Sequence, residues 1–443
     1  MKIYFMLLGW IAADLIWWRL ADHWVRRAPW SALWRALVGA FALAQIFYLV
    51  VFGIGVVRDH MWELPVWWAS AAYFWHLGIV LGTLLVVGGI KLFRFVRRRN
   101  GAKPQAVGEG VRSSEETLTP DRSRAVASSA RFSRSTGRGG EGLTRREALR
   151  AVGLAAVPPV VTGGLTAYAM AELGAFRVRG MDLQVPSLPP DLEGLTLAHV
   201  TDLHIGRFLP PGMLERAAEA TNALGADLVV FTGDLLDTSC ETLAPGFDFL
   251  RRLDRRHGLV IVEGNHDIMR GADRFEKAVK DAGWPLLLDE AMTIRVPGRA
   301  TPVQFLGATW GELLWGWQLK RWGRDAKLRF REPSKDWSAE MMPRLAAKRE
   351  AGAFPILLAH HPHLFDPAVA AGLPLVLSGH THGGQLMLTK NIGVGPLRFR
   401  YWSGVYEKAD ARLFVNNGVG NWFPLRVNAP AEIVKVTLRR GQG

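Results

Sequence analysis

The chain has 443 residues, with 54 Lys+Arg against 40 Asp+Glu, a formal net charge of +14 and a single cysteine, Cys240. That length allows two or three domains, and one cysteine excludes an intramolecular disulfide framework. Residues 1–150 hold 21 basic and 10 acidic side chains, while residues 151–443 hold 33 and 30; the basic excess lies outside the larger part, which argues against a general nucleic-acid-binding protein, whose basic footprint belongs on the folded domain.

Three apolar segments open the chain, at 3–18, 36–57 and 66–90. The second and third carry no charge and reach the roughly 20 residues that a bilayer core requires; the first is shorter and contains Asp14. Trp and Tyr crowd several of their ends, as interfacial anchors do. Arg19, Arg26, Arg27 and Arg35 lie between segments one and two, and Lys91, Arg94, Arg97, Arg98 and Arg99 follow segment three, whereas the loop between two and three has Arg58 against Asp59 and Glu63. Positively charged loops stay cytoplasmic, so the end of segment three is expected inside. Residues 1–99 thus read as a transmembrane region of about three helices, with His76 facing another helix.

Residues 100–142 are rich in Ser, Arg, Gly and Glu and poor in aromatics, the composition of a disordered linker, here on the cytoplasmic side. At 143–176 Arg145 and Arg146 precede a run of Ala, Gly and Val. This resembles a twin-arginine export signal; a fourth membrane helix is the other reading. Either would carry the C-terminal domain to the outer face of the cytoplasmic membrane, with the twin-arginine export machinery as a partner in the first case.

From 177 to 443 short apolar runs alternate with helical spacing. Strands are expected at 195–200, 227–233, 258–263, 302–309, 355–360, 373–379, 412–417 and 431–439, and helices at 213–225 and 242–256. Strands mixed with helices predict an α/β domain, and their number suggests two sheets packed together.

Five of these strands run into polar residues of one kind. The first ends in TDLHIG with Asp202 and His204, the second in GDLLD with Asp234 and Asp237, the third in GNHD with Asn265, His266 and Asp267, a fourth in HHPH with His360, and a fifth in GHTHGGQ with His380 and His382. Strand ends are where α/β folds keep their chemistry, and each group is a ligand type for borderline divalent metals.

In full and in order, this pattern resembles that of the calcineurin-like metallophosphoesterases, D-x-H, G-D, G-N-H-[DE], H, G-H-x-H, over roughly residues 190–440. Within that family it looks closest to the bacterial branch tethered to or exported across the membrane. The resemblance implies a four-layer αββα sandwich and two divalent transition-metal ions, Mn, Fe, Zn or Co. One would be bound by Asp202, His204, Asp234 and His382, the other by Asp234, Asn265, His360 and His380, with Asp234 bridging. It also implies that His266 is no ligand but faces the phosphoester and protonates the leaving group, with Asp267 holding its ring.

His199 reads as a buried, hydrogen-bonded histidine, and Asp237 as a support for the site or a helix cap. A stretch at 311–337 holds Trp315, Trp317, Trp322 and Trp337 among many basic residues; it is either a membrane-surface element or a cap over the sandwich. The expectation is a membrane-tethered phosphohydrolase acting on a lipid- or nucleotide-linked phosphoester, a diester before a monoester. The alternatives are a catalytically idle metal-containing scaffold, or a phosphomonoesterase or nuclease on the same fold.

Overall fold

The computed structural model describes residues 2–58, 64–100, 143–237, 239–269, 271–310 and 335–441. The expected linker at 100–142 lies outside them except for Asn100, and so does the Trp-rich stretch up to residue 334. The described residues fall into two compact units, one within 1–63 and 72–162, the other within 64–71 and 163–443.

The first unit is helical: α1 (Lys2–Val25), α2 (Ser31–Arg58), the end of α3 (Val66–Phe74), a π-helical turn at Trp75–Ile79, α4 (Val80–Asn100) and the start of α5 (Arg145–Leu173). Among the described residues three helical stretches are long and apolar enough to cross a membrane, Ser31–Ile54, Val66–Phe93 and Arg145–Leu173. A helix suits that setting because it satisfies its backbone polar groups internally. The first apolar segment is helical as expected, but α1, with Asp14, Arg19 and Asp22, is not among the three. Trp17, Phe41 and Trp75 pack edge to face, Trp75 lying 4.8 Å from each of the other two. Beside them Asp14 accepts the Trp75 indole N–H at 2.5 Å and lies 2.9 Å from His76 Nε2, so His76 does face another helix.

The second unit contains two large sheets. Its strands are β1 (Phe176–Val185), β2 (Thr196–Val200), β3 (Leu228–Thr232), β4 (Leu259–Val262), β5 (Glu290–Ile294), β6 (Val303–Gly307), β7 (Phe354–Leu358), β8 (Leu375–Ser378), β9 (Met387–Thr389), β10 (Ile392–Gly393), β11 (Gly404–Lys408), β12 (Ala411–Val415) and β13 (Ala431–Arg440). One sheet runs β1-β13-β2-β3-β4 and the other β11-β12-β8-β7-β6-β5, while β9 and β10 form a hairpin of their own. The neighbours β2, β3 and β4 are parallel, as are β6, β7, β8 and β12.

Side-chain alternation builds the layers. Leu228, Val230, Val260 and Val262 join Phe305, Ile356, Leu377 and Phe414 in a core between the sheets. Val229, Phe231, Leu259 and Ile261 point the other way, onto α6 (Met213–Ala223), α7 (Leu243–Arg252) and α9 (Ala272–Asp281). Leu306, Leu357 and Val376 face α10 (Lys335–Ala346) and α11 (Phe365–Ala370). This is the expected αββα order. Burial on both faces explains why these strands read as continuous apolar runs. Strands β1, β5 and β11, more exposed and lacking such runs, were not expected.

Candidate metal centre

All seven expected ligands follow strand ends. Asp202 and His204 come after β2, Asp234 after β3, Asn265 at the start of α8 (Asn265–Ile268) after β4, His360 after β7, and His380 and His382 after β8. Five of them have left-handed backbone, with φ of 54° at Asp202, 46° at His204, 55° at Asp234, 72° at His380 and 49° at His382. Such conformations cost about 1–3 kcal/mol each and persist where the surroundings over-determine them. The Asp202 N–H donates to Gly233 O at 2.9 Å and the His204 N–H to Asp234 O at 3.0 Å. The His380 N–H donates to the Asp202 carboxylate at 3.0 Å. Gly264 and Gly379 are required by crowding: a Cβ on Gly264 would fall on Asp234 Oδ1, and one on Gly379 on Asp202 Oδ2.

The side chains converge. His382 Nε2 lies 3.2 Å from Asp202 Oδ1 and 2.9 Å from His204 Nε2. His204 Nε2 lies 3.3 Å and His360 Nε2 3.1 Å from the same atom, Asp234 Oδ2. Three overlapping groups, Asp202–His204–His382, His204–Asp234–His266 and Asp234–His360–His380, each keep their candidate ligand atoms within 4.8 Å of one another. Asp234 belongs to two of them, the position expected of a bridge.

The donor set fits a divalent metal. His360 Nδ1 donates to Thr232 O at 2.6 Å, which leaves Nε2 as the nitrogen with a lone pair. That buried Nε2 has no hydrogen-bond partner, and neither has the buried Asn265 Oδ1. Buried polar groups are normally satisfied, so two ligand atoms left over in the set expected to hold one cation are what a cation site would contain.

Electrostatics points the same way. Burial opposes charge on His204, but Asp234, with Asp202 and Asp237, outweighs it and raises the imidazole to about 10. The same contest lifts His360 to about 9 through Asp234 and Asp202. Burial, and then His360 beside it, pushes His380 well below its ordinary value, while burial holds His382 down to about 4. Such a cluster binds protons that a metal would displace.

His266 sits where the site opens to solvent, its ring 4.6 Å from His204 and 6.2 Å from Trp422. The expected His266–Asp267 pair does not form. His266 Nδ1 donates to Asp237 O at 2.5 Å and lies 3.4 Å from Asp237 Oδ1. Asp267 instead accepts the backbone N–H groups of Asp234, Leu236 and Gly264, each at 2.9 Å. The tight turn into α8 explains this: a carboxylate at its third residue reaches back to the amide before the turn. Asp267 therefore ties the β3 and β4 loops together, and Asp237 orients the imidazole. Burial, then Asp234, pushes the Asp267 carboxyl up to about 7.

His199 is not a ligand; it is buried and bonds to Thr232 Oγ1 at 2.8 Å. Two neighbours had no signal in the sequence. Arg426 is fully buried, donates to Asn421 Oδ1, Ala429 O and Gly420 O, and reaches His382 Nδ1 at 3.1 Å. The Trp310 ring lies 4.7 Å from His380, 5.1 Å from His361 and 5.4 Å from His360, walling one side of the site.

Comparison with known proteins agrees. The family model of the calcineurin-like phosphoesterases matches residues 195–384, which include every expected site residue. The chain carries a calcineurin-like metallophosphoesterase domain. It is 28% identical over 268 residues to an uncharacterized metallophosphoesterase of Campylobacter jejuni, covering 59% of this chain and 63% of that one. It is 28% identical to a transmembrane protein with metallophosphoesterase domain of Danio rerio, over 63% of this chain and 62% of the relative. It is 27% identical to the phosphodiesterase YaeI of Escherichia coli, over 54% of this chain and 80% of the relative. The first two matches thus span a little over three fifths of the relatives' length.

Proposed function

We propose that this chain is a membrane-tethered, metal-dependent phosphohydrolase with a two-cation centre, acting on a phosphodiester, lipid- or nucleotide-linked, at the outer face of the cytoplasmic membrane. The observation that carries the reading is the convergence on Asp234 of His204 and His360, with His266 in the same group and the buried Asn265 Oδ1 left without a partner. Asp202, His204, Asp234 and His382 would hold one cation, and Asp234, Asn265, His360 and His380 the other. Bound there, divalent cations would offset phosphoryl charge and make water a nucleophile near neutral pH.

The chain's own residues supply the rest. The Asp237 backbone carbonyl accepts from His266 Nδ1, so in the imidazolium Nε2 is the atom free to give a proton to the leaving oxygen. Neutral Asn265 adds a ligand oxygen without negative charge that would repel the phosphoester. Arg426 backs His382 with a positive charge shielded from solvent. A diester is favoured by the name of the Escherichia coli relative. The outward placement is favoured by the basic residues on either side of the apolar segments. With it go a cytoplasmic linker at 100–142 and a span at 143–176, whether or not that span is read by the twin-arginine machinery.

Hydrolysis of bis-p-nitrophenyl phosphate and of p-nitrophenyl phosphate by the full chain in detergent with Mn tests the reading. Turnover of the diester is expected, with loss in His266→Ala at unchanged metal content. No turnover of either ester in a metal-loaded protein would leave the scaffold reading in its place.

A further inference from the structure

The hairpin of β9 and β10 and the short helix α12 (Val394–Arg398) form a flap whose large apolar side chains stand in solvent. Leu388 is 78% exposed, Ile392 58% and Leu397 88%. None of the described residues covers them. Lys390 and Arg398 are interleaved with them. Scattered single apolar residues on a surface are ordinary, but a cluster ringed by basic groups marks an interaction site.

The flap's place in the chain names its occupant. Its base is the loop that carries His380 and His382, and the Phe399 ring beyond α12 lies 5.7 Å from His380. The flap is tied to the loop at 421–428: Met387 N–H donates to Val427 O at 3.0 Å, Val427 N–H to Gln385 O at 2.8 Å, and Asn428 Nδ2 to Met387 O at 3.0 Å. That loop is tied in turn to the end of α5, since Asn421 Nδ2 donates to Leu173 O at 3.1 Å. From Gly163 onward α5 belongs to the same compact unit as the flap, and it is the end of a stretch apolar enough to cross a membrane. Only Gly174 and Ala175 separate it from β1. Trp422, next to Asn421, is 47% exposed and stands beside His266. One hydrogen-bonded run therefore links the end of a candidate span, the mouth of the metal centre and the flap. The end of a span lies at the bilayer surface, where aliphatic side chains enter the headgroup–acyl boundary and Lys and Arg meet anionic headgroups.

We propose that the flap at 387–398 seats in the surface of the bilayer that α5 enters, an anionic one, and holds the metal centre against the headgroup layer, so that its substrate is the phosphoester of a membrane lipid. The substrate clause rests on the phosphohydrolase reading; the docking stands on the exposed side chains and the hydrogen-bonded run.

The full chain, with Cys240→Ala, is reconstituted in vesicles of phosphatidylethanolamine and phosphatidylglycerol carrying a doxyl-labelled lipid. A bimane is attached at Leu388→Cys, at Leu397→Cys or, without removing an apolar contact, at Lys390→Cys. Asp281→Cys, exposed on α9, is the control. Quenching severalfold above the control at the flap positions is expected, and quenching equal to the control at all three overturns the docking. The same vesicles are assayed with bis-p-nitrophenyl phosphate and Mn. Hydrolysis without flap quenching removes the docking and leaves the phosphohydrolase; quenching without hydrolysis does the reverse and removes the lipid-substrate clause.

Discussion

Both units of this protein bury aspartate against histidine, and the two clusters differ in what they leave over. In the helical unit Asp14 takes the Trp75 N–H and faces His76 Nε2, while His76 Nδ1 donates to Ala72 O at 2.7 Å. Both polar ends of the imidazole have partners, on helical backbone whose π turn brings two consecutive side chains onto Asp14. In the candidate metal centre the same residue types are mostly buried, yet His360 Nε2 and Asn265 Oδ1 lack partners and five candidate ligands sit on left-handed backbone. Burial of Asp with His does not by itself mark a metal site. Unspent ligand atoms, set among neighbours on strained backbone, do.

The largest effect is expected at Asp234. Asp234→Asn removes the shared charge on which both groups converge, so elemental analysis should find metal content collapsing together with hydrolysis of bis-p-nitrophenyl phosphate. Metal bound at wild-type stoichiometry would mean that the two groups do not share this carboxylate. Next comes His266→Ala, expected to lower kcat by about 10²–10⁴-fold at unchanged metal content; metal loss would make His266 a ligand. Asp237→Ala keeps the backbone bond to His266 but removes the carboxylate that lies 3.6 Å from His204 Nδ1 and 3.4 Å from His266 Nδ1, and a fall of about 10–100-fold is expected. Action through His266 further requires that the pH–rate profile of Asp237→Ala shift, whereas a profile unchanged in shape would leave the carboxylate a structural prop.

On the other side, Asp14→Ala should lower the thermal stability of the helical unit while leaving soluble-ester hydrolysis and metal content as they are. A loss of bound metal would tie the two clusters together. The smallest effect lies between them in kind. Glu432 is a buried carboxylate that accepts from Arg179 at 2.8 Å and from Arg177 at 2.8 Å. Burial raises its pKa, but the two guanidinium groups outweigh burial and hold it below 4.5. A depressed folded-state value means that its contribution is present above the unfolded value and lost as pH falls through the folded one. Because both arginines are partly exposed, Glu432→Gln should cost about 1–3 kcal/mol near neutral pH, shrinking in acid; denaturant melts at both pH values measure it. An equal cost at low pH would remove the ion pairs as its cause.

Much of this was legible in the order of residues. Apolar runs at 195–200, 227–233 and 258–263 read as strands because parallel strands buried on both faces have no polar alternation to hide them, and the motif at each strand end named Asp202, Asp234, Asn265 and the histidines. The edge strands β1 and β11 were invisible, since their half-exposed faces carry mixed residues. What the tertiary structure alone decided is which carboxylate serves which imidazole. Asp267 adjoins His266 in sequence, but the turn into α8 spends it on three backbone amides, and Asp237, from another loop, takes the ring. Arg426 and Trp310 likewise reach the histidines only because the sheets bring distant loops together. Residue type and local spacing specify which side chains can bind a cation; the convergence of strand ends across two sheets sets the distances and the leftover atoms that make them a site.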